Sequence, residues 1–387
     1  MFNVPGRLVC AGVLVAVWSA GAASGEGRQA KKAAKPRKDT AMAEIWTQKG
    51  VMLCSPKVAH PFCTGGASAL LSDGRILTTY SGPVTPHGQK PGATRIYACV
   101  SADGGKTWGP EREIIHHPEC QACGGSILRT RDGTLWVFYM GFYRSAWRGG
   151  QPDMEATRSD LWCTRSTDDG KTWTNRQMIW KGYTGATNGA LETTAGHIVV
   201  PFSYVVPNPG RLVSACVVSA DAGKDWKLST NIDLGGHGDH AGAIEPTVVQ
   251  LKDGRIWMLI RTAKGRFWQS FSTDNGMTWC EATPTPIGSP SAPAYITRLK
   301  SGRLVLVWNN TMATTRGRDT LSMALSEDDG ESWTRPVECA RSMQLSYPFI
   351  LEHKPGQLLV GCNHVMGGWK RVAPVLFRVS EQTLLGQ

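Results

Sequence analysis

Beyond its N-terminal region the sequence has no apolar run of the roughly 20 residues that a membrane-spanning helix needs, so no span is expected. It also lacks a phosphate-binding glycine loop, a serine nucleophile elbow and any motif of a nucleic-acid reader. Nucleotide-driven chemistry, α/β-hydrolase chemistry and nucleic acid as a partner are thereby set aside. Helical periodicity is missing as well, and Cys120 and Cys123 form one C-x-x-C without the second pair that a structural zinc site takes. What remains is a 387-residue globular chain with 19% charged and 41% hydrophobic residues, enough for one large domain or two ordinary ones.

The N-terminus reads as an export signal. One Arg is followed by an apolar stretch over residues 8–18 and then by small residues that fit cleavage near Ala22 or Ala23. Cys10 sits in that stretch without a lipobox before it. The basic, polar segment EGRQAKKAAKPRKDT then reads as a flexible linker. The expected organisation is a signal peptide over 1–23, a linker over 24–43 and a folded domain over 44–387, exported to the periplasm or the exterior and acting as a monomer. Signal and linker hold five of the eleven formal positive charges, so the folded part is only mildly basic, which suits an acidic substrate. Ten cysteines remain after the signal, an even number in an exported chain, and disulfides are expected, with Cys120–Cys123 the local candidate. Cys99, Cys163 and Cys216 recur at equivalent repeat positions, where packing between strands explains them as well.

The repeats decide the fold. SADGGKTW at Ser101 returns as STDDGKTW at Ser166, SADAGKDW at Ser219, STDNGMTW at Ser272 and SEDDGESW at Ser326. A second motif, a glycine turn followed by a β run, occurs six times, as in SDGRILTTY and KDGRIWMLI. Its glycines, Gly74, Gly133, Gly196, Gly254, Gly302 and Gly356, are spaced by 48 to 63 residues. A β period of that length without helices predicts an all-β, six-bladed β-propeller with four-stranded antiparallel blades. The last blade lacks a fourth strand of its own, and the segment around residues 45–53 is expected to supply it and so remove an exposed edge.

The S-x-D-x-G-x-x-W box has the makings of a turn. Its Asp accepts from loop amides, its Gly permits a left-handed backbone and its Trp packs against neighbouring sheets. Five copies mark architecture rather than five active sites. In a four-stranded blade the turns between strands one and two and between three and four share one rim, so the glycine turns and the boxes lie on a bottom face. The other connections build the top. Seven of nine histidines, including His60, His87, His116, His117, His237, His240 and His364, fall in top loops. The longest top insertion, GFYRSAWRGGQPDMEATRSD, brings Arg144, Arg148 and Arg158.

Six blades, the Asp boxes and an export signal resemble the sialidase (neuraminidase) superfamily from about residue 45 onward. The family places a Glu at the start of one first strand and an Arg at the end of the next strand, and EPTVVQLKDGRIWMLIR puts Glu245 and Arg261 there. The next family Arg precedes the following box, which matches Arg318, and less closely Arg316. The family's nucleophilic Tyr opens the last blade, where SYPFILEHKPG supplies Tyr347. The resemblance implies hydrolysis of a terminal acidic sugar from a glycan, without a cofactor. A neutral Tyr activated by Glu is not repelled by the sugar carboxylate, and arginines clamp that carboxylate.

Two family positions are not matched. Thr64 stands where the first Arg belongs, and no Asp or Glu occurs between Gly74 and Ala102, where the general acid belongs. His87 in that loop is the candidate acid, and Arg144 or Arg148 the candidate replacement for the Arg. Two other readings stay open: a polysaccharide lyase or a His/Tyr glycosidase on the same scaffold, and a glycan-binding propeller without activity. HGDHAG gathers His237, Asp239 and His240 in one loop but offers no further ligand at a defined spacing, so no metal is expected.

Overall fold

Six four-stranded antiparallel sheets account for nearly all regular structure in the computed structural model, which describes residues 51–52, 64–82, 94–310, 317–342, 344–366 and 371–386. The proposed signal and linker, His60, His87, Arg316, Cys10, Cys54 and Cys63 lie outside the described residues. Blades 1 to 5 each run in chain order from the inner to the outer strand. Blade 1 is built from Thr64–Leu70, Ile76–Gly82, Arg95–Ser101 and Arg112–His116, and blade 2 from Gln121–Arg129, Leu135–Arg144, Arg158–Ser166 and Thr174–Trp180. Blade 3 comprises Leu191–Glu192, Ile198–Val206, Arg211–Ser219 and Lys227–Leu228, and blade 4 Ile244–Gln250, Ile256–Arg261, Arg266–Ser272 and Thr283–Gly288. Blade 5 follows with Tyr295–Arg298, Leu304–Trp308, Thr320–Ser326 and Val337–Arg341.

Blade 6 has three strands from the C-terminal end, Leu345–Lys354, Gln357–Met366 and Arg371–Ser380, and takes its fourth from Val51–Met52, with Val51 opposite Leu376 and Met52 opposite Val375. The ring is therefore closed by both ends of the domain, as the missing outer strand requires. Where the other blades carry a box, this one has a single helical turn, Glu381–Leu384, capped by the Ser380 side chain.

The second and third strands read as apolar runs because neighbouring blades cover both of their faces. Ile256–Arg261 and Leu304–Trp308 are buried at every position. The boxes close the bottom of these stacks. In the first, Asp103 Oδ1 accepts from the amides of Lys106 and Thr107, both at 2.9 Å, and Ser101 Oγ accepts from Gly105 N at 2.8 Å. The same pattern recurs at Asp168, Asp221, Asp274 and Asp328. The boxes also tie blades together: Asp169, beside the second box, accepts from the Ser72 amide in the blade 1 turn at 3.0 Å and from Arg129 Nη1 at 2.8 Å. Glycine turns and boxes thus share one rim.

The expectation of a local Cys120–Cys123 disulfide is corrected: both side chains are free thiols. Cys120 precedes the strand that begins at Gln121, and Cys123 lies on it. Cys99, Cys163 and Cys216 are buried in their blades. No helix among the described residues is long and apolar enough to cross a membrane.

Candidate active site

The site begins with a defect in strand pairing. In blade 4, Ile244 pairs with Arg261 and Thr247 with Leu259, so Glu245 and Pro246 together face the single residue Ile260. In blade 6, Ser346 pairs with Asn363 and Phe349 with Gly361, so Tyr347 and Pro348 face only Cys362. Such bulges bend a strand and re-aim a side chain. Both bulged residues hold a left-handed backbone, φ 42° at Glu245 and 54° at Tyr347. That conformation costs a non-glycine residue of order 1–3 kcal/mol and persists only where the surroundings impose it. Blades 1 and 2 carry register shifts at the same level, between Gly65 and Ser68 and between Cys123 and Gly125. There the bulged residues include Gly66 and Gly124, both of which line the site's cavity, and at Gly66 a Cβ would collide with Thr79 Oγ1.

The two bulges bring their side chains together. Tyr347 Oη donates to Glu245 Oε1 at 3.0 Å, and Arg261 Nη1 donates to Glu245 Oε2. Glu245 and Arg261 are buried, at 7% and 3% exposure. The Glu245 backbone is held as well, its amide donating to Ser203 Oγ at 3.1 Å and its carbonyl accepting from Asn188 Nδ2 at 3.1 Å. Ser291, in the loop that enters blade 5, joins two arginines: its Oγ accepts from Arg261 Nε at 3.2 Å and its carbonyl from Arg318 Nη2 at 2.9 Å. The Arg318 guanidinium lies 5.9 Å from the centroid of the Tyr347 ring.

The electrostatics follow from this packing. Burial pushes the Glu245 carboxyl up, but Arg261 and Arg318 together with the hydrogen bonds from Arg261 and Tyr347 outweigh it and leave the group below its ordinary range. Burial, reinforced by the Glu245 charge, pushes the Tyr347 phenol up to about 12 against the opposing pull of the two arginines. Burial and the neighbouring Arg261 charge lower Arg318. Near neutral pH the site therefore sets an ionised carboxylate against a neutral phenol. Arg261 is spent on Glu245, whereas Arg318 enters no ion pair among the described residues.

A cavity of about 390 Å³ opens over these groups and is lined by Glu245, Arg261 and Tyr347, by Gly66 and Gly124 of the first two blades, and by Asp239 and His240 at its mouth. Arg318 stands beside it. Arg144 and Arg148 do not line it: Arg144 is exposed and donates to the Glu155 carbonyl, and Arg148 is exposed on a two-residue hairpin where it pairs with Gln151. The insertion that carries them folds back on itself and onto blade 3 instead of across the axis, with Gln151 Oε1 accepting from Gly210 N at 2.9 Å. Thr64 enters its strand opposite Ser81. Arg261 is the one Arg or Lys among the described lining residues, and no group of three or more metal-ligating side chains is formed among the described residues, His237, Asp239 and His240 included. Reasoning from sequence missed Ser291, Ser203 and Asn188, which hold the charged groups and carry no motif, and it weighed Asp239 and His240 only as metal ligands.

The sequence model of the BNR repeat-like domain matches residues 74–360. The chain belongs to that family, as a divergent propeller of the sialidase superfamily. Among characterised proteins this BNR repeat-like chain is 26% identical over 303 residues to a sialidase of Micromonospora viridifaciens, a match covering 69% of the chain and 44% of that protein. A sialidase of Bacteroides fragilis (strain YCH46) is 26% identical over 269 residues, covering 60% and 47%. The matches thus span less than half the length of either relative. Of solved structures, a protein of unknown function from Dyadobacter fermentans DSM 18053 superposes with a TM-score of 0.67 at 18% identity, covering 86% of this chain and 98% of that one. The Hadza microbial sialidase Hz136 gives a TM-score of 0.66 at 15% identity, covering 84% and 67%. At these identities the two structures establish that the BNR propeller fold is shared.

Proposed function

We propose that the chain is an exported, retaining exo-glycosidase of sialidase type that removes a terminal acidic sugar from glycans in the periplasm or outside the cell. The observation that carries this reading is the 3.0 Å hydrogen bond from Tyr347 to the ionised Glu245 at the floor of an arginine-flanked cavity. An anomeric carbon that bears a carboxylate repels an anionic nucleophile, and a neutral phenol beside a proton acceptor avoids the repulsion. The sugar carboxylate meets Arg318, a half-buried cation without an acidic partner among the described residues, and Arg261. Tyr347 attacks the anomeric carbon while its proton passes to Glu245, the glycosidic bond breaks, and water releases the sugar in a second step with net retention.

The characterised relatives named sialidase support the reading, as does the position of Tyr347 and Glu245 on equivalent bulges. The test is incubation of the purified chain with an aryl α-ketoside of N-acetylneuraminic acid, with the anomer first released read by NMR. The reading requires release of the free α-anomer by the wild type and its loss in Tyr347→Phe. An unsaturated product absorbing in the near ultraviolet, the mark of a lyase, or binding without turnover would overturn it.

A further inference from the structure

A glycosidase that uses a phenol nucleophile still has to protonate the departing oxygen, and the loop where the superfamily resemblance places that acid holds no carboxylate. We propose that His240, held by Asp239, donates this proton and then accepts one from the water of the second step; the assignment rests on the Tyr347–Glu245 reading above. Apart from Glu245, Asp239 and His240 are the only carboxylate and imidazole among the described lining residues. The remaining ionisable lining groups hold their protons too tightly. Burial pushes the Cys123 thiol and the Tyr295 phenol up to about 12.

Position separates the two carboxylates. Glu245 is buried at the floor beside Tyr347, whereas the Asp239 and His240 side chains are 41% and 71% exposed at the mouth. In an exo-acting enzyme the mouth is where the leaving group lies and where water enters. Asp239 Oδ2 stands 3.5 Å from His240 Nδ1, so the proton to be passed is the one on Nε2. A carboxylate on Nδ1 is a usual way to orient an imidazole. Asp239 and Glu245 also flank one ring. Burial pushes the Tyr183 phenol up, and both carboxylates add to that push.

The loop is built to hold the pair still. Just before Asp239, Gly238 N donates to the Gly210 carbonyl at 2.6 Å. Just after His240, Leu212 N donates to the Ala241 carbonyl at 3.0 Å, and Ala243 N to the Leu212 carbonyl at 3.0 Å. The blade 2 insertion buttresses the same place, with Gln151 Nε2 lying 3.3 Å from His237 Nε2. A side chain pair carried on both flanks by backbone hydrogen bonds keeps the placement that proton transfer demands.

The proton count closes. In the first step the Tyr347 oxygen bonds to the anomeric carbon and its proton goes to Glu245. The bond to the leaving oxygen breaks with its electron pair on that oxygen, which takes the proton from His240 Nε2. In the second step water bonds to the anomeric carbon and gives a proton to His240, while the Tyr347 oxygen leaves and recovers its proton from Glu245.

The test compares two leaving groups on the full chain: a 4-methylumbelliferyl α-ketoside of N-acetylneuraminic acid, which needs no protonation to depart, and the same sugar linked to a galactose hydroxyl, which does. His240→Ala should cut kcat/KM on the galactose-linked substrate by roughly 10²–10⁴-fold and on the aryl ketoside by less than about tenfold. Azide should restore aryl turnover in that variant and appear as a glycosyl azide. Asp239→Asn should show the same split at smaller size. Equal losses on both substrates, no loss, or the split in His87→Ala instead would overturn the assignment. Turnover of neither ketoside by the wild-type chain overturns this assignment and the Tyr347–Glu245 reading together, whereas wild-type turnover without a split overturns this assignment alone.

Discussion

Tyr347 and Glu245 lie 102 residues apart in the chain, one on blade 6 and one on blade 4, and meet in a 3.0 Å hydrogen bond because the same bulge turns each out of its inner strand. Each is followed by proline, at 348 and 246, and each holds a left-handed backbone. The ring of blades supplies the facing positions and the paired bulges supply the aim.

The Glu245–Arg261 pair is buried on both sides, so losing one partner strands a charge. Arg261→Met and Glu245→Gln should each destabilise the fold by about 3–5 kcal/mol, and the double variant by clearly less than the sum. Urea unfolding of the four proteins checks this, and additive losses would contradict it.

Arg318 should behave in the opposite way. It has no acidic partner among the described residues and is held by the Ser291 carbonyl. Arg318→Met should leave the unfolding midpoint unchanged or raised, since a desolvated cation is removed, while KM for an acidic substrate rises roughly 10–100-fold. A large fall in stability with unchanged KM would assign Arg318 to the scaffold.

The pH dependence has a defined sign. The Glu245 carboxyl lies below its ordinary range, so its contribution to stability is present above the unfolded value and is lost as pH falls through the lower folded value. The same titration removes the proton acceptor for Tyr347. The acid limb of kcat/KM for the free enzyme should therefore fall below the ordinary glutamate value of 4.5, and not near neutrality. On the alkaline side, Tyr347 rises from 10.0 to about 12, so its share of stability is complete below pH 10.0 and drains away towards pH 12. Tyr347→Phe should unfold less steeply across that interval, as thermal melts at fixed pH would show.

Architecture was legible because it repeats. The boxes and glycine turns state the blade register several times over, and an edge without a partner called for the N-terminal strand. Glu245, Arg261, Arg318 and Tyr347 stood at the blade ends that this register turns upward. The remainder depends on loops without periodicity. Ser291 carries no motif, and its role arises only because the blade 5 entry loop passes between Arg261 and Arg318. Arg144 and Arg148 were placed by the length of their insertion, but its direction follows from packing against Gly210 and His237, which a sequence pattern does not report. Cys120 and Cys123 suggested a bridge by spacing alone, but the chain enters the first strand of blade 2 between them and both thiols are free.

That last point is itself testable. Burial pushes the Cys120 and Cys123 thiols up to about 12, so neither should react quickly in the native state. Unfolding in denaturant without reductant should expose both to iodoacetamide, and peptide mapping should find each alkylated. A bridged, unlabelled peptide would contradict the free-thiol assignment.

The central claim is that Tyr347 forms the bond to the sugar, and trapping tests it most directly. Incubation with a 2,3-difluoro derivative of N-acetylneuraminic acid, followed by intact mass measurement and peptide sequencing, should show a single fluorosugar adduct on Tyr347, absent from Tyr347→Phe. Turnover of the ketoside with no adduct, or with an adduct on any other residue, would contradict the account.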